Sequence, residues 1–585
     1  MRGTAPRWFA ACLPALAALA LFWPAAGYEF LDYDDPLLLT ANPLVQRPCP
    51  ANLARLVSAP AFGDYQPLPL LTYALEWSLV GPTPAAFHLT NVALHALSAL
   101  LVGLLFAPHL GGRRARAAAL LFALHPLAVE PVCWVASRKD TLMLPLLLAA
   151  ALCHRRAASE PGRGLAWGGL GLLLGALALL SKTAAVVLPL LLLLERAAAR
   201  GRLAPLPREL PWLALHAVLA AVAVSLKLLA LREVGFAGPE PPPGGWPARA
   251  HLVAHTVGAY LAHGLAPVGL HLNYDPQRAS PALAWLGALA GLLCGVALLR
   301  GPGRRAGVWL GALWAAAGVL PGAQLVLFPF WAADRYAYVA LPGLAAALAG
   351  LLLPAARASA PRAGWAFLGV LALCAALSAL QARLWRDSAA LWSGTLRRDP
   401  DNRVAPLGVA RVSLRRGELE LARRQLEEVR ARQPDNPRVP VLLAQLALVR
   451  GDPAEAERLL RDLSPADRAL ELGSLLLAQG RREEAEQVAS EGLRAGQTSP
   501  ALLHLVGRLA LETGRVEEAA SGLERAVASE PARAEAWLLL ARARALQGDA
   551  RGARHALRRG EEVGAGGAPL DEARATVAAL DSAGR

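Results

Sequence analysis

Runs of apolar residues in the first two-thirds of the chain constrain its fold more than any other feature. They recur between residue 8 and about residue 383, and most of them are about 14 to 24 residues long. Residues 384–585 are rich in Arg, Glu, Ala and Leu and hold no such run. A run of this length can span the hydrocarbon core as a helix, which satisfies its own backbone hydrogen bonds. The sequence therefore predicts an all-α protein with a polytopic membrane domain over residues 1–383 and a soluble domain over residues 384–585.

The apolar runs give the predicted spans. The first begins at residue 8, and we interpret it as an uncleaved span rather than a signal peptide because many further runs follow. The others cover residues 87–108, 117–129, 141–153, 165–181, 184–195, 211–231, 281–300, 307–328, 336–353 and 363–382. Residues 249–272 carry several histidines, and we predict an interfacial or re-entrant helix there that does not cross the membrane.

Clusters of arginine between the apolar runs predict the orientation. They are GGRRAR (111–116), HRRAASEPGRG (154–164), ERAAARGR (195–202), RGPGRR (300–305) and AARASAPR (355–362). Because short loops rich in Arg stay in the cytoplasm, these clusters predict about eleven spans, a cytoplasmic N-terminus and an outer C-terminal domain. The composition, rich in Ala, Arg, Gly and Pro, is typical of a GC-rich bacterial genome. The predicted location is therefore the inner (plasma) membrane, with the soluble domain in the periplasm.

The formal net charge of +14 would favour a nucleic-acid partner if the protein were soluble. Here many arginines lie in short loops between spans, where they set the topology. The sequence also lacks a basic stripe that alternates with aromatic residues, which is the usual mark of a nucleic-acid surface. We therefore predict contact with membrane lipid and no nucleic-acid partner.

Glycines recur at a nearly constant interval in the soluble domain. Gly417, Gly451, Gly480, Gly514 and Gly548 are 34, 29, 34 and 34 residues apart, and Ala follows each of them five residues later. A glycine between two helices, a small residue where they cross and a proline at the end of the unit are typical of tetratricopeptide (TPR) repeats. The sequence predicts a TPR α-solenoid, an architecture that binds peptides or protein partners.

The predicted topology brings several charged segments to the outer face. They are LDYDDP (31–36), HPLAVEPVCWVASRKD (125–140), SKT (181–183), LNYDPQ (272–277) and WAADRY (331–336). Taken singly, their charged residues have ordinary explanations: a solvated loop, a cation at the membrane rim, a local ion pair or a helix cap. Taken together, they suit a reaction on a lipid-linked anionic substrate.

In such a reaction, the chemical type of each charged residue predicts its role. A carboxylate can act as general base for an acceptor hydroxyl, and Arg and Lys can hold a phosphate leaving group. The candidate phosphate-binding residues are Arg138, Lys139, Lys182 and Arg335, and the candidate supporting residues are His125, Glu130, Asp140 and Asp334. The two lysines are notable because the chain has only three lysines among its 59 basic residues.

The cysteines and histidines show no metal-ligand spacing. Six cysteines are scattered without a CxxC motif, and Arg and Lys alone can neutralise a monophosphate leaving group. We therefore predict a reaction that uses no metal and no cofactor. Cys49 and Cys133 share the predicted outer compartment, so a disulfide between them stays an open alternative.

Several blocks, in this order and ahead of the repeats, resemble the transmembrane and TPR-containing O-mannosyltransferases and their bacterial relatives. They are FLDYDDPLLLTANPLVQ (30–46), YQPLPLLTYALEWSLVGPTPAAFHLTNVALHALSALL (65–101), ALHPLAVEPVCWVASRKDTL (123–142), ALLSKTAAVVLPLLLLLE (178–195), ADRYAYVALPG (333–343) and WRDSAALW (385–392). The resemblance implies a GT-C fold in which an acidic residue of the first outer loop is the catalytic base. Here that residue is Asp34 or Asp35, and the choice between them is open.

The resemblance also implies a substrate class, because eukaryotic members of the family use dolichyl-phosphate mannose and modify Ser and Thr hydroxyls. The predicted function is transfer of a hexose, mannose by resemblance, from a polyprenyl-phosphate sugar to a protein hydroxyl on the non-cytoplasmic face. The TPR array would bind the acceptor or a partner. The alternative is a non-enzymatic membrane scaffold whose TPR array assembles envelope proteins.

Overall fold

The computed structural model describes residues 7–58, 65–205, 207–233, 245–274, 280–325, 331–354 and 361–583. These residues form helices joined by turns and contain no strand, as predicted for an all-α chain. The helices of the N-terminal part are α1 (Arg7–Phe22), α2 (Pro43–Gln46), α3 (Pro50–Ser58), α4 (Pro67–Val80), α5 (Pro84–Leu110), α6 (Gly112–Leu124), α7 (Val129–Cys133), α8 (Arg138–Ser159), α9 (Gly164–Ser181), α10 (Leu188–Arg200), α11 (Leu210–Glu233), α12 (Gly245–Leu265), α13 (Ala282–Arg300), α14 (Ala306–Val319), α15 (Leu341–Leu352) and α16 (Pro361–Ala382).

Among the described residues, six helices are long and apolar enough to cross a membrane. A seventh candidate is α6 with its continuation Pro126–Cys133, which is bent by 54°. Three shorter apolar segments, Ala11–Gly27, Ala306–Gly322 and Leu341–Leu352, coincide with further predicted spans. The predicted apolar runs thus fall mainly on helices, as a multi-pass membrane protein requires, while the count of about eleven spans stays a prediction.

Helix α12 contains most of the histidine-rich segment and packs closely along α13. Gly258 faces Leu283 and Gly287, and Gly287 faces Ala254, so the two helices run antiparallel. A Cβ atom at either glycine would overlap a backbone carbonyl oxygen of the other helix, which explains why both positions are glycine. That α12 does not cross the membrane stays a prediction.

The C-terminal part consists of helix pairs. Its helices are α17 (Ser388–Arg398), α18 (Ala405–Arg415), α19 (Leu419–Arg432), α20 (Arg438–Val449), α21 (Pro453–Arg461), α22 (Pro465–Ala478), α23 (Arg482–Arg494), α24 (Pro500–Glu512), α25 (Val516–Ser529), α26 (Ala534–Leu546), α27 (Ala550–Glu562) and α28 (Ala568–Ala583). Pairs α18–α19 to α26–α27 form five repeats.

The repeat glycines lie in the turns inside these pairs. Gly417, Gly451, Gly480, Gly514 and Gly548 adopt positive φ angles of 74, 79, 78, 76 and 78°, a conformation that favours glycine. The five alanines that follow them, from Ala422 to Ala553, are fully buried where the helices of a pair meet. The predicted TPR array is therefore confirmed.

Helix α17 links the two parts. The main hydrophobic cluster of the N-terminal part includes Trp385, Leu391, Trp392 and Ala405, whereas the buried residues of the repeats cluster separately from Leu407 onwards. Helix α17 therefore packs as an extension of the N-terminal part, although it follows the predicted boundary at residues 383 and 384. The boundary itself stays a prediction.

Candidate active site

The predicted site residues come from elements that meet at one end of the helix bundle. They are the loop after α1, the break between α6 and α8, the end of α9 and the helical turn Asp334–Ala337. Helix α5 packs against α1, α7 and α8, so it holds the first two elements side by side. Of the LNYDPQ segment, residues 275–277 lie outside the described residues.

Asp35 is almost fully buried, and backbone groups use both of its carboxylate oxygens. Its Oδ2 accepts a hydrogen bond from the Leu31 N–H at 2.7 Å, and its Oδ1 accepts one from the Ala136 N–H at 2.9 Å. Burial raises the pKa of Asp35 to about 7, although these two N–H groups oppose the shift. Asp35 thus ties the loop after α1 to the segment before α8.

Asp34, its neighbour, is only partly buried, and its side chain has no hydrogen-bond or ion-pair partner among the described residues. Burial raises its pKa, while the charges of Lys139 and Arg335 act in the opposite direction. A carboxylate with free lone pairs beside two cations can accept a proton from a substrate. The structure therefore distinguishes the two aspartates by their partners.

Arg335 is fixed from several sides. Its guanidinium pairs with the buried Glu130, and its backbone N–H donates to Glu130 Oε2 at 3.1 Å. The guanidinium also lies over the rings of Trp134 and Tyr336, 5.4 and 4.9 Å from their centres. A cation held in this way keeps a fixed orientation at the site.

The two lysines have different surroundings. Lys182 Nζ lies 2.5 Å from Asp140 Oδ1 and 5.1 Å from the ring centre of Tyr336. Lys139 is the only residue between 131 and 140 that is not buried, and its ammonium has no partner among the described residues. Lys139 is therefore the cation that stays available to a ligand.

Arg138, next to Lys139, points into the protein. Its guanidinium donates to Asn91 Oδ1, Glu76 Oε2 and the Phe87 carbonyl, each at 2.7 Å. It also lies 4.9 Å from the centre of the Tyr73 ring. All three nitrogens are used, so Arg138 joins α4, α5 and α8 and is not brought together with the other predicted phosphate-binding residues.

His125 and Asp334 hold the end of α12 and the segment after it. The Leu127 N–H donates to His125 Nδ1, so Nε2 carries the proton and donates to the Gly264 carbonyl at 3.0 Å. Asp334 accepts a hydrogen bond from the Tyr274 hydroxyl at 2.8 Å. Both residues thus hold neighbouring segments in place, and the supporting role predicted for them stays a prediction.

Sequence reasoning missed the aromatic residues of the site. Trp134, Tyr274 and Tyr336 lie inside the quoted charged segments, but attention to charge passed over them. Only the adjacency of Arg335 and Tyr336 was visible in the sequence, because Trp134 meets Arg335 and Tyr274 meets Asp334 from distant parts of the chain. Asn91 and Glu76 lie on helices and gave no comparable signal.

The described part of the chain contains no group of three or more His, Cys, Asp or Glu side chains arranged to hold a metal ion. All six cysteines are free, so the alternative of a disulfide between Cys49 and Cys133 is not realised.

Family models match segments in both parts of the chain. Residues 64–227 match the family model described as dolichyl-phosphate-mannose-protein mannosyltransferase. Tetratricopeptide repeat models match residues 373–437, 414–471 and 505–569.

Curated relatives point the same way. The chain is 36% identical over 133 residues to protein O-mannosyl-transferase Tmtc1 of Drosophila melanogaster. The match covers 21% of this chain and 16% of that protein. It is 34% identical over 149 residues to human protein O-mannosyl-transferase TMTC4, and this match covers 22% of this chain and 20% of that protein. The matched segments thus span at most about a fifth of these two relatives.

Among solved structures, the repeat region is similar to YrrB, described as a TPR protein with an unusual peptide-binding site. The identity is 13% and the TM-score 0.25, over 31% of this chain and 97% of that one. The PilF protein of Pseudomonas aeruginosa is similar at 20% identity and a TM-score of 0.26, over 32% of this chain and 91% of that one.

Proposed function

We propose that this chain, a relative of the transmembrane and TPR-containing O-mannosyltransferases, is a membrane glycosyltransferase of the inverting GT-C type. It transfers a hexose, mannose in our proposal, from a polyprenyl-phosphate sugar to a Ser or Thr hydroxyl of a protein. The reaction takes place on the periplasmic face of the inner membrane, with the N-terminus in the cytoplasm. The match to the mannosyltransferase family model over residues 64–227 supports the reaction class.

The difference between Asp34 and Asp35 carries this proposal. Two backbone N–H groups occupy the carboxylate of Asp35, whereas the side chain of Asp34 has no partner among the described residues and lies beside cations. Asp34 is therefore the general base, and Asp35 positions the loop that carries it. These contacts support Asp34 over Asp35, a choice that the sequence left open.

The transfer proceeds by direct displacement. Asp34 accepts the proton of the acceptor hydroxyl as its oxygen attacks C1 of the sugar, and the bond from C1 to the phosphate oxygen breaks. The polyprenyl phosphate leaves with the bonding electron pair. Lys139 and Arg335 neutralise the charge that develops on its phosphate, while the charge of Lys182 is largely balanced by its ion pair with Asp140.

The repeat array supplies the acceptor surface. A cavity of about 870 Å³ lies at the first two repeats, and Asn402, Arg403, Leu407, Gln425, Arg432 and Arg438 are among its lining residues. The Asn402 side chain donates to the carbonyls of Leu272 and Asn273 at 3.3 and 3.0 Å, directly before Tyr274. A polypeptide in this cavity therefore lies next to a segment that reaches the site.

Transfer by the purified full-length protein tests the proposal. The donor is polyprenyl-phosphate mannose labelled in the sugar, the acceptor is a Ser/Thr-rich polypeptide, and GDP-mannose is the comparison donor. We expect transfer from the lipid-linked donor alone and a loss of about a hundredfold or more in Asp34→Asn. The matched control is Asp571→Asn, on an exposed position of α28. Undiminished transfer by a folded Asp34→Asn protein would contradict the assignment.

A further inference from the structure

The first outer loop of the protein, residues 28–58, contacts the repeat array at both ends. At its start, the Asp32 backbone N–H donates to the Ser388 hydroxyl at 2.8 Å. The Asp32 carboxylate pairs with Arg415 and lies 3.8 Å from Arg411, both on α18 of the first repeat. Asp34, the proposed base, is two residues further along this loop.

Contacts between aromatic side chains also connect the first repeat to the residue before Asp34. The Tyr33 ring, adjacent to Asp34, meets Trp392 of α17 edge to face at 5.4 Å and Trp134 at 5.4 Å. Trp392 is fully buried and lies directly over Gly408 of α18, where a Cβ atom would overlap the indole ring. The first repeat thus touches Trp392, Trp392 touches Tyr33, and Tyr33 precedes the base.

The far end of the loop lies on the last repeats. The Asn52 amide is buried and donates to the Glu562 carbonyl at 3.1 Å. Arg55 donates to the Pro531 carbonyl at 3.0 Å, and its guanidinium lies 5.3 Å from the ring centre of Trp537. Burial lowers the pKa of Arg55 to about 10, and the neighbouring Arg559 contributes to the shift. These contacts join residues that are 510 and 476 positions apart in the chain.

We propose that the repeat array is a structural part of the active site: it holds residues 28–58 so that Asp34 faces the donor. This inference rests on the proposed role of Asp34. Gly408, Trp392 and Arg415 are positioning residues that act through Tyr33 and Asp32, and none of them touches the reacting atoms.

Two consequences follow from this arrangement. The last repeats are already occupied by α3, so a partner that binds around Pro531 and Trp537 must displace the loop. The first repeats keep the cavity that we assign to the acceptor. A polypeptide bound there lies against the same helix α18 that carries Gly408, so occupation of the cavity and the position of Asp34 are coupled.

The test compares two glycine variants of the full-length protein. Gly408→Ala drives a methyl group into the Trp392 ring, whereas Gly522→Ala, on α25, places its Cβ no closer than 3.7 Å to a neighbouring atom. We expect Gly408→Ala to lower kcat roughly ten- to a hundredfold, because small misplacements of a catalytic group have effects of this size. The KM for the donor should change less than kcat, since Lys139 and Arg335 lie on other elements than the loop that carries Asp34. Gly522→Ala should match the wild type.

Hydrogen exchange gives a readout that does not depend on transfer. The amides of residues 28–40 should exchange faster in Gly408→Ala than in Gly522→Ala. Unchanged exchange in these amides, or faster exchange with wild-type kcat, would overturn the inference. If the wild type transfers no sugar at all, the proposed function fails, and the exchange of residues 28–40 alone decides whether the array holds the loop.

Variants that change the charge at Arg415 test the same inference without altering the packing of Gly408 against Trp392. Arg415→Ala removes the ion pair with Asp32 and should lower kcat, while Arg415→Lys, which keeps the charge, should restore most of it. The control is Arg458→Ala, whose ion pair is with Glu455 in its own helix. Equal kcat in Arg415→Ala and Arg458→Ala would contradict a positioning role for Arg415.

Discussion

A cluster of ionisable side chains lies at each end of helix α8. The two clusters differ in how many of their charged groups are paired. At the far end from the site, Glu195 pairs with His109 at 3.1 Å, and Glu209 pairs with Arg196 at 3.0 Å and with Arg200. His154 and His216 share a hydrogen bond of 2.7 Å. At the site end, Asp34 and Lys139 have no partner among the described residues.

The difference in pairing of the carboxylates supports the proposed site as the cluster that binds a charged substrate. A buried charge is costly unless it is paired, and both carboxylates of the far cluster are paired, so this cluster joins the ends of α5, α8, α10 and α11 without leaving a carboxylate unpaired. A carboxylate and an ammonium kept side by side without partners leave hydrogen-bonding capacity unused, which is common where a substrate must enter.

The largest expected effect is the loss of transfer at low pH. Asp34 must be ionised to accept a proton, and burial raises its pKa above the usual value of an aspartate. Activity should therefore fall as the pH falls, by about tenfold per pH unit below that pKa, and the fall should begin at a higher pH than for an exposed carboxylate. The kcat/KM profile of the wild type measures this. If the residual activity of Asp34→Asn kept the same acidic fall, another group would be responsible.

The next effect concerns Lys139. Lys139→Ala removes a charge-assisted hydrogen bond to the donor phosphate, so donor affinity should fall roughly ten- to a hundredfold. It also removes a charge that lowers the pKa of Asp34, so the acidic limb of the pH profile should move to higher pH. The matched control is Glu209→Gln in the far cluster, which should lower thermal stability and leave the donor affinity of the folded protein unchanged. An equal loss of donor affinity in Lys139→Ala and Glu209→Gln would contradict the proposed difference between the two clusters.

The sequence predicted the repeating features well because they are periodic. The TPR glycines recur at a nearly constant interval, and the spans are long apolar runs, so the helices and the five glycine turns could be located from the sequence. Arg138 and Lys139 are neighbours with the same charge, yet one points into Asn91 and Glu76 while the other stays free. Side-chain direction at such adjacent positions depends on partners far away in the chain, which spacing does not reveal.

The contacts between loop and repeats were beyond sequence reasoning for the same reason. Asn52 and Glu562 are 510 residues apart, and neither stands in a motif. The pairing of Asp32 with Arg415 likewise depends on how the array folds back over the membrane part. Two regions predicted separately can thus form one site without any sequence signal of their contact.

A smaller effect is expected on stability through Asp35. Its pKa is about 7 in the folded protein and near 3.8 in an unfolded chain, so the native state holds its proton more tightly. The contribution of Asp35 to stability is therefore fully present below about pH 4 and is lost as the pH rises through 7. Thermal unfolding between pH 4.5 and 7.5 should show a decline with pH that is weaker in Asp35→Asn. The same slope in both proteins would assign the decline to other groups.

The smallest expected effect is that of a chelator, which should leave transfer unchanged. A divalent ion at this site would need several carboxylate oxygens, but both oxygens of Asp35 already accept backbone N–H groups, and one oxygen of Asp140 is paired with Lys182. In the proposed reaction, Lys139 and Arg335 supply positive charge to the leaving phosphate, so an ion would compete with them rather than complete the site. Transfer is measured with and without EDTA, and then after adding Mg²⁺ or Mn²⁺. Activity that EDTA abolishes and a divalent ion restores would recast Asp34 as a metal ligand rather than a base.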